Sequence, residues 1–411
     1  MTDINRPRSR LGALKQRNFA LFLAGTSLSC VGSAAVPVAL SFALFGEGAG
    51  PGGVGTVLAA GAVPMALLML LGGVLADRYA PRPVMVAADL LRAVAQSVLA
   101  LLLLTHLARF AAVVVLAALV GVGAALDAPG RNRLLTQIVP PDLLPDANGT
   151  LMMVTSAGQL LGPALGGLLV AGAGAGWAIA LDAVTYLASA SLLCCLRPRA
   201  DAPDAAAAPG MAGALREGWS EFIRRPWVWL MVCLFAMLHM LSWGPTEVLG
   251  AFVFARQPAG ALHWGMLLSL MGAGAIIGGM LALRLRPRRP IRAVLLWLLL
   301  YPLLPISLAA SPPFWVQGIC FLLGGIELAN VNVLWESTLQ RVIPPERLSR
   351  VSACDQLGSL CLLPLGYALA GPMALLLGPA GALGTGAATV LVATLGLLLR
   401  PGIRNAEAHP A

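Results

Sequence analysis

Apolar stretches long enough to cross a bilayer return twelve times along the chain, at 19–45, 54–76, 84–107, 110–128, 148–171, 175–196, 226–255, 261–283, 291–310, 313–336, 350–373 and 375–399. A helix rises 1.5 Å per residue, so about 20 apolar residues span a hydrocarbon core of roughly 30 Å. Backbone groups in lipid must pair within the protein, and a helix pairs them within its own segment. The pattern therefore predicts an all-α membrane protein of twelve transmembrane helices. Composition agrees, with 58% hydrophobic and 11% charged residues among 411. Mean hydropathy is +0.84, outside the range of soluble domains. No small-residue cleavage pattern follows a short core in the first run, which reads as a retained helix and not a removed signal peptide.

A net charge of +9 would suit a nucleic-acid ligand if the basic residues formed one patch. They do not. Arg6, Arg8, Arg10, Lys15 and Arg17 precede the first span, and Arg78, Arg82, Arg131 and Arg133 fall in alternate loops. Arg197, Arg199, Arg216, Arg224 and Arg225 lie between spans six and seven. Arg284, Arg286, Arg288, Arg289, Arg292, Arg341, Arg347, Arg350, Arg400 and Arg404 continue the alternation, so 24 of 27 basic residues share one side. The positive-inside rule puts that side, and both termini, in the cytoplasm. The charge is a topology signal, and no nucleic acid is expected as partner. Arginine supplies 26 of the 27 basic residues, which with abundant alanine points to a GC-rich bacterium and its inner membrane. Cys30, Cys194, Cys195, Cys233, Cys320, Cys354 and Cys361 show neither a disulfide framework nor zinc-ligand spacing.

An internal repeat divides the chain. Residues 72–82 (GGVLADRYAPR) match residues 278–288 (GGMLALRLRPR) at seven of eleven positions, with an offset of 206. Residues 135–142 (LTQIVPPD) echo residues 339–346 (LQRVIPPE). Two pseudo-symmetric six-helix halves follow, 1–196 and 226–411, joined by a polar linker at 197–225. The linker's second part reads either as an amphipathic surface helix presenting Trp219 and Phe222 to lipid headgroups or as a plain connection. Parallel halves around an axis normal to the membrane, with a site near the midplane between them, are the architecture of alternating-access carriers.

Two motifs resemble known signatures. Gly73-x-x-x-Asp77-Arg78-x-x-x-Arg82 is similar to the loop signature of the major facilitator superfamily, departing from it at Ala80 and Pro81. Gly158-x-x-x-Gly162-Pro163-x-x-Gly166-Gly167 matches the antiporter signature of that superfamily. Asp127-Ala128-Pro129, Trp335-Glu336 and Pro344-Pro345-Glu346-Arg347 resemble the branch containing enterobactin exporters and macrolide efflux proteins, among the drug:proton antiporters. The resemblance implies the major facilitator fold and a conformational latch. In that latch Asp77 faces the N-terminal end of helix 11 near Ser349 or Arg350, and Arg78 or Arg82 holds Asp127. An ordinary positive-inside loop is the alternative. Gly158, Gly162 and Gly166 form one stripe on helix 5, as Gly274 and Gly278 do on helix 8. Such stripes let helices cross closely, here between the halves or as generic packing.

Ionisable residues within spans are costly and point to function by default. Glu327 sits near the middle of helix 10 with Asn330 one turn on and no basic neighbour. Burial in hydrocarbon disfavours the charged form of a carboxylate, which suits a group that alternately takes a proton and a cationic or polar substrate; a structural carboxylic acid is the other reading. Asp89 and Arg92, three residues apart, are expected to pair. Asp182 and Glu247 are second candidates for a proton path, and His239 a third, either as relay or as packing. By the resemblance, helices 1, 4, 7 and 10 line the cavity with Thr26, Ser29, Ser33, Ser242, Trp243, Thr246, Asn330 and Asn332. Phe19, Phe22 and Met237 would supply apolar walls.

No enzyme is read here. The chain has no Gly-x-x-x-x-Gly-Lys loop, no His-Glu-x-x-His and no Gly-x-Ser-x-Gly. The expected activity is secondary transport: proton-coupled export of a lipophilic drug or natural product by a monomer, with the proton gradient in place of any cofactor. Siderophore export is the runner-up, weakened because Arg92 and Arg109 are the only cations available to an anionic cargo; nutrient import comes third.

Overall fold

The computed structural model describes residues 13–78, 80–197, 223–285 and 287–400, without the side chains of 69–78, 128–129, 345–347, 349–350 and 353. Of the expected latch residues Gly73, Asp77, Arg78, Ser349 and Arg350 only the helical backbone is described, and the linker's Trp219 and Phe222 lie outside what is described.

The first half comprises α1 (Arg17–Gly46), α2 (Pro51–Arg78), α3 (Pro81–Leu104), α4 (Phe110–Ile138), α5 (Leu144–Gly172) and α6 (Ala175–Cys194). In the second half, α7 runs over Pro226–Ala255, α8 over Gly260–Ala282, α9 over Pro290–Ala310 and α10 over Phe314–Val342. An apolar stretch at Cys354–Leu398 completes it. At 1.5 Å per residue its 45 residues would extend about 68 Å, twice a hydrocarbon core. Gly378 resolves this, since its φ of 72° and ψ of 162° are conformations that side chains resist and that end a helix. The chain reverses there. We label Pro345–Leu360 together with 363–377 as α11, and 379–398 as α12. Twelve crossings result among the described residues.

Short turns make neighbouring helices antiparallel, so the start of α1 and the ends of α6 and α12 share one face, called here the tail face. Proline opens α3, α7, α9 and α11 at that face, where a missing N–H costs no helical hydrogen bond. Large apolar side chains such as Leu101, Val115, Met152, Leu168 and Trp315 remain exposed around the bundle, as lipid-facing surfaces do.

Among the described residues, buried apolar side chains form three clusters. One, at the far face, draws on both halves: Val38, Leu44 and Val54 pack with Val248, Phe254, Trp264 and Leu383. The other two lie toward the tail face, one wholly in the first half around Phe19, Phe22 and Leu134, the other wholly in the second around Met231, Leu295 and Trp335. The halves are thus fused at the far face and have separate cores at the tail face.

Candidate functional site: a cavity among broken helices

Three helices of the second half are interrupted around one cavity. In α7, residues His239–Trp243 form a π turn. Pro245 has no N–H for the carbonyl of Leu241, and a wider turn absorbs the defect. In α9, regular helix stops at Leu298 and resumes at Leu303, leaving Tyr301 and Pro302 in the gap. In α11 the break falls between Leu360 and Leu363, just before Pro364. The continuous spans read from the sequence are corrected at all three places. Discontinuous helices of this kind mark substrate sites in carriers.

The cavity has a volume of about 510 Å³ and extends from Glu327, near the middle of α10, to Gln340 and Leu348 at the tail face. Its lining is aromatic (Phe235, Trp243, Tyr301, Trp335) and acidic (Glu327, Glu336, Asp355), and includes neither Arg nor Lys among the described residues. Asp355 accepts hydrogen bonds from Trp335 Nε1 at 3.1 Å and Ser359 Oγ at 3.4 Å. Trp335 is in turn fixed edge-on against Phe235, 5.5 Å between centroids. Glu327 is only 2% exposed, and no hydrogen bond or ion pair reaches its carboxylate among the described residues. His239 lines the same cavity with its Nδ1 2.8 Å from the carbonyl of Phe235.

Trp243 and Tyr301 stack at 6.3 Å and divide this cavity from a smaller one of about 20 Å³ on the far side, bounded by Thr246, Glu247 and Phe321. Glu247 accepts from Trp243 Nε1 at 3.2 Å and from the Tyr367 hydroxyl of α11.

The first half buries a different set. Arg92 pairs with Asp89 on its own helix and with Asp127 of α4 at 3.4 Å, and Arg131 pairs with the other oxygen of Asp127. The Arg92 guanidinium also lies 4.4 Å from the centre of the Tyr186 ring. Asp182 accepts from Gln96 Nε2 at 2.8 Å, with Ser33 and Thr185 each at 3.5 Å. The expected Asp89–Arg92 pair is present. Asp127, however, is held by Arg92 and Arg131. Arg82 instead donates to the carbonyls of Leu193 and Cys194, capping the end of α6. Arg131 stands one turn along from Asp127, so it pairs at little entropic cost, whereas the exposed α6 carbonyls attract Arg82.

Of the two readings of the glycine stripes, packing within each half is the one present. Gly158, Gly162 and Gly166 face Cys30, Ala34 and Ala35 of α1, and Gly274 and Gly278 face Leu322 and Ile326 of α10, each within its own half. Contact between halves falls to Gly167 against Leu262, Gly265 against the Pro163 carbonyl, and Gly272 against Leu160. Across this seam Ala164 N donates to Ser269 Oγ at 3.0 Å. The reason is angular: residues four apart share one helix face, and the next residue is rotated about 100°.

Other expected residues sort as follows. Asn330 is fully buried and donates to the carbonyl of Gly278, fastening α10 to α8. Phe19 and Phe22 lie in the first half's core. Met237 faces an outer groove shared with Leu397 and Arg400. Thr26 and Ser29 are buried, while Asn332 and Trp243 line the cavity. Reading the sequence missed Tyr301, Tyr367, Asp355, Gln96 and Arg131. The Tyr301-Pro302 step inside an apolar run was the available signal for the first.

A bundle of twelve crossings, fused at one face around broken helices and an internal cavity, defines a membrane carrier. Residues 18–358 match the Major Facilitator Superfamily, and the chain belongs to that family: it is a multi-pass secondary transporter and not an enzyme. The enterobactin exporter EntS of Escherichia coli O1:K1 / APEC is 27% identical over 396 residues, covering 95% of this chain and 92% of the relative. Among solved structures, the nucleoside transporter NupG superimposes with a TM-score of 0.75 at 12% identity, covering 92% of this chain and 97% of that one. A bacterial homologue of the iron transporter ferroportin, in an inward-facing state, gives 0.70 at 18% identity, covering 93% and 99%. These structures share the major facilitator fold.

Proposed function

We propose that the protein exports a lipophilic, neutral or cationic small molecule across the bacterial inner membrane by proton-coupled alternating access. The observation that carries this reading is Glu327, a buried carboxylate with no cation beside it among the described residues, on the wall of an aromatic, acid-lined cavity. A charge in such a place is costly unless a proton or a positive ligand joins it, so one group serves both cargoes in alternation. The volume of about 510 Å³ lies within the range of small-molecule sites. The alternation of arginines supports a cytoplasmic tail face, with both termini inside. On that orientation, halves joined at the far face and separate at the tail face correspond to an inward-facing carrier. The export direction rests on the α5 motif, Gly158, Gly162, Pro163, Gly166 and Gly167.

Siderophore export is the second reading, favoured by the relatives described as enterobactin exporters. An anionic cargo would meet Glu327, Glu336 and Asp355 on this wall with no fixed cation to balance them among the described residues.

The test is substrate-triggered proton movement in everted vesicles, followed with a pH-sensitive dye while macrolides, cationic dyes and catecholate siderophores are added in turn. Collapse of the gradient by a cationic or neutral lipophile in wild type, but not in Glu327→Gln, is expected. A response confined to siderophores would move the second reading to first place. Transport of labelled cargo with no proton movement would sink the coupling.

A further inference from the structure

Three hydroxyls gather at the wall between the two cavities of the second half: Tyr301 OH borders both cavities, Thr246 Oγ1 borders the smaller, and Ser242 Oγ stands beside Tyr301 on the turn that carries Trp243. Each is buried, and none makes a hydrogen bond of normal geometry among the described residues. Tyr301 and Ser242 are each 2% exposed. Orphaned buried hydroxyls weaken a fold, and a membrane interior offers no solvent to relieve them. Three together, on two helices that break here, call for a role.

Their position supplies one. Glu327 lies on the tail side of the Trp243–Tyr301 wall and Glu247 on the far side. The small cavity beside Glu247 has about 20 Å³, enough for one water molecule, which needs roughly 10–15 Å³ and two to four polar partners. Thr246, Tyr301 and Glu247 all border it. A hydroxyl or a water both accepts and donates, so it passes a proton on without acquiring charge.

We propose that Tyr301, Thr246 and Ser242, with one water in the small cavity, form a proton relay joining Glu247 to Glu327 through the Trp243–Tyr301 wall. Thr246 and Ser242 orient the phenol and the water. In the transfer, the O–H bond of protonated Glu247 breaks as one forms on the water. The water gives a proton to the Tyr301 oxygen, which releases its own to the Glu327 carboxylate. One proton moves, Glu247 ends as carboxylate and Glu327 as acid, and no other bond changes.

The other titratable groups around the path are His239 of α7, 6.4 Å from Trp243 between ring centres, and Tyr367 of α11, which donates to Glu247. Glu336 and Asp355 stand further along the large cavity, and neither cavity is lined by Arg or Lys among the described residues. No fixed cation therefore traps the path in a deprotonated state. The π turn has a place in this arrangement, because it lies immediately before Gly244-Pro245 and carries Trp243 into the wall with Ser242 beside it.

The relay rests on the proton-coupled reading, and one experiment separates the two. In uniformly oriented proteoliposomes, pH is dropped on the far-face side or on the tail-face side. Protonation of Glu327 is followed by its carbonyl infrared band, assigned by its loss in Glu327→Gln. After far-face acidification, Tyr301→Phe and Thr246→Val are expected to slow the band on the order of a hundredfold. After tail-face acidification, which reaches Glu327 through the open cavity, both variants are expected to match wild type; a general loss of structure would slow both. Equal far-face rates in all proteins would overturn the relay and leave proton coupling standing. A Glu327 band that responds to acid from neither face in wild type would overturn both.

Discussion

The two halves carry the same sequence repeat, yet they differ in how their buried charges are balanced. In the first half, Asp89, Asp127, Arg92 and Arg131 pair with one another, and Asp182 has three side-chain partners. In the second, among the described residues, Glu327 has no hydrogen-bond or ion-pair partner, the hydroxyls of Ser242, Thr246, Tyr301 and Thr394 make no hydrogen bond of normal geometry, and α7, α9 and α11 are broken. A compensated network is rigid and stays as it is, whereas uncompensated groups gain by binding a proton or a ligand. On this contrast the first half acts as a frame, and the second half carries the exchangeable cargo.

The largest test removes the frame's central cation. Arg92→Leu leaves the Asp89 and Asp127 carboxylates buried together, with Arg131 reaching only one of them, and breaking such a pair costs about 3–5 kcal/mol. Thermal unfolding in detergent is expected to show a large drop, while Glu327→Gln unfolds close to wild type. Equal losses would erase the contrast between the halves.

A smaller effect is expected where the halves meet. A Cβ on Gly167 would lie 3.0 Å from the Leu262 Cα, and overpacking of this kind costs about 1–3 kcal/mol. Gly167→Leu should push the population away from the far-face-closed form. Spin labels at Ala49 and Ala374, on a cysteine-free background, should report longer distances; an unchanged distribution would mean the seam adapts.

Within the second half, Trp335→Phe keeps the aromatic wall but removes the donor to Asp355. A loss of about 1–2 kcal/mol in stability is expected, with cargo affinity changing more than stability if Asp355 faces the ligand. Fluorescence binding titrations and melting curves compare the two.

The smallest effect concerns the pin between helix ends in the frame. Asn18 Nδ2 donates to the Arg197 carbonyl at 2.7 Å and its Oδ1 accepts from Arg197 N at 3.2 Å, tying α1 to α6. Near the end of α12 in the second half, a Cβ on Gly396 would meet only open space. Asn18→Ala is expected to cost about 0.5–1.5 kcal/mol and to raise hydrogen exchange at the start of α1 and the end of α6, without altering transport.

Much of the fold was legible because the bilayer imposes one solution on long apolar segments. Twelve spans, the half-chain repeat and the pairing of Asp89 with Arg92 follow from local spacing. Glu327 was legible as well, since a carboxylate alone in an apolar run stands out against its neighbours. Of the two arginines offered for Asp127, Arg82 turns to the end of α6 and the side chain of Arg78 lies outside what is described; that Arg92 and Arg131 reach Asp127 was not legible, because a motif says which residues are present and not how far a side chain reaches. Asn330 and Met237 lie on the right helices but point away from the cavity, and for the same rotational reason spacing alone left open whether the glycine stripes pack within a half or between halves.

The solvent, the number of crossings, the internal repeat and the presence of a buried acid were all settled by the amino-acid order alone, because they depend on hydrophobicity summed along the chain. It took the packed bundle to show that Asp127 belongs to Arg92 and Arg131, that Gly167 and not Gly166 meets the other half, and that Tyr301 stands between Glu327 and Glu247. Those relations depend on how helices rotate and where prolines break them, and helix rotation is set by packing against neighbours distant in sequence.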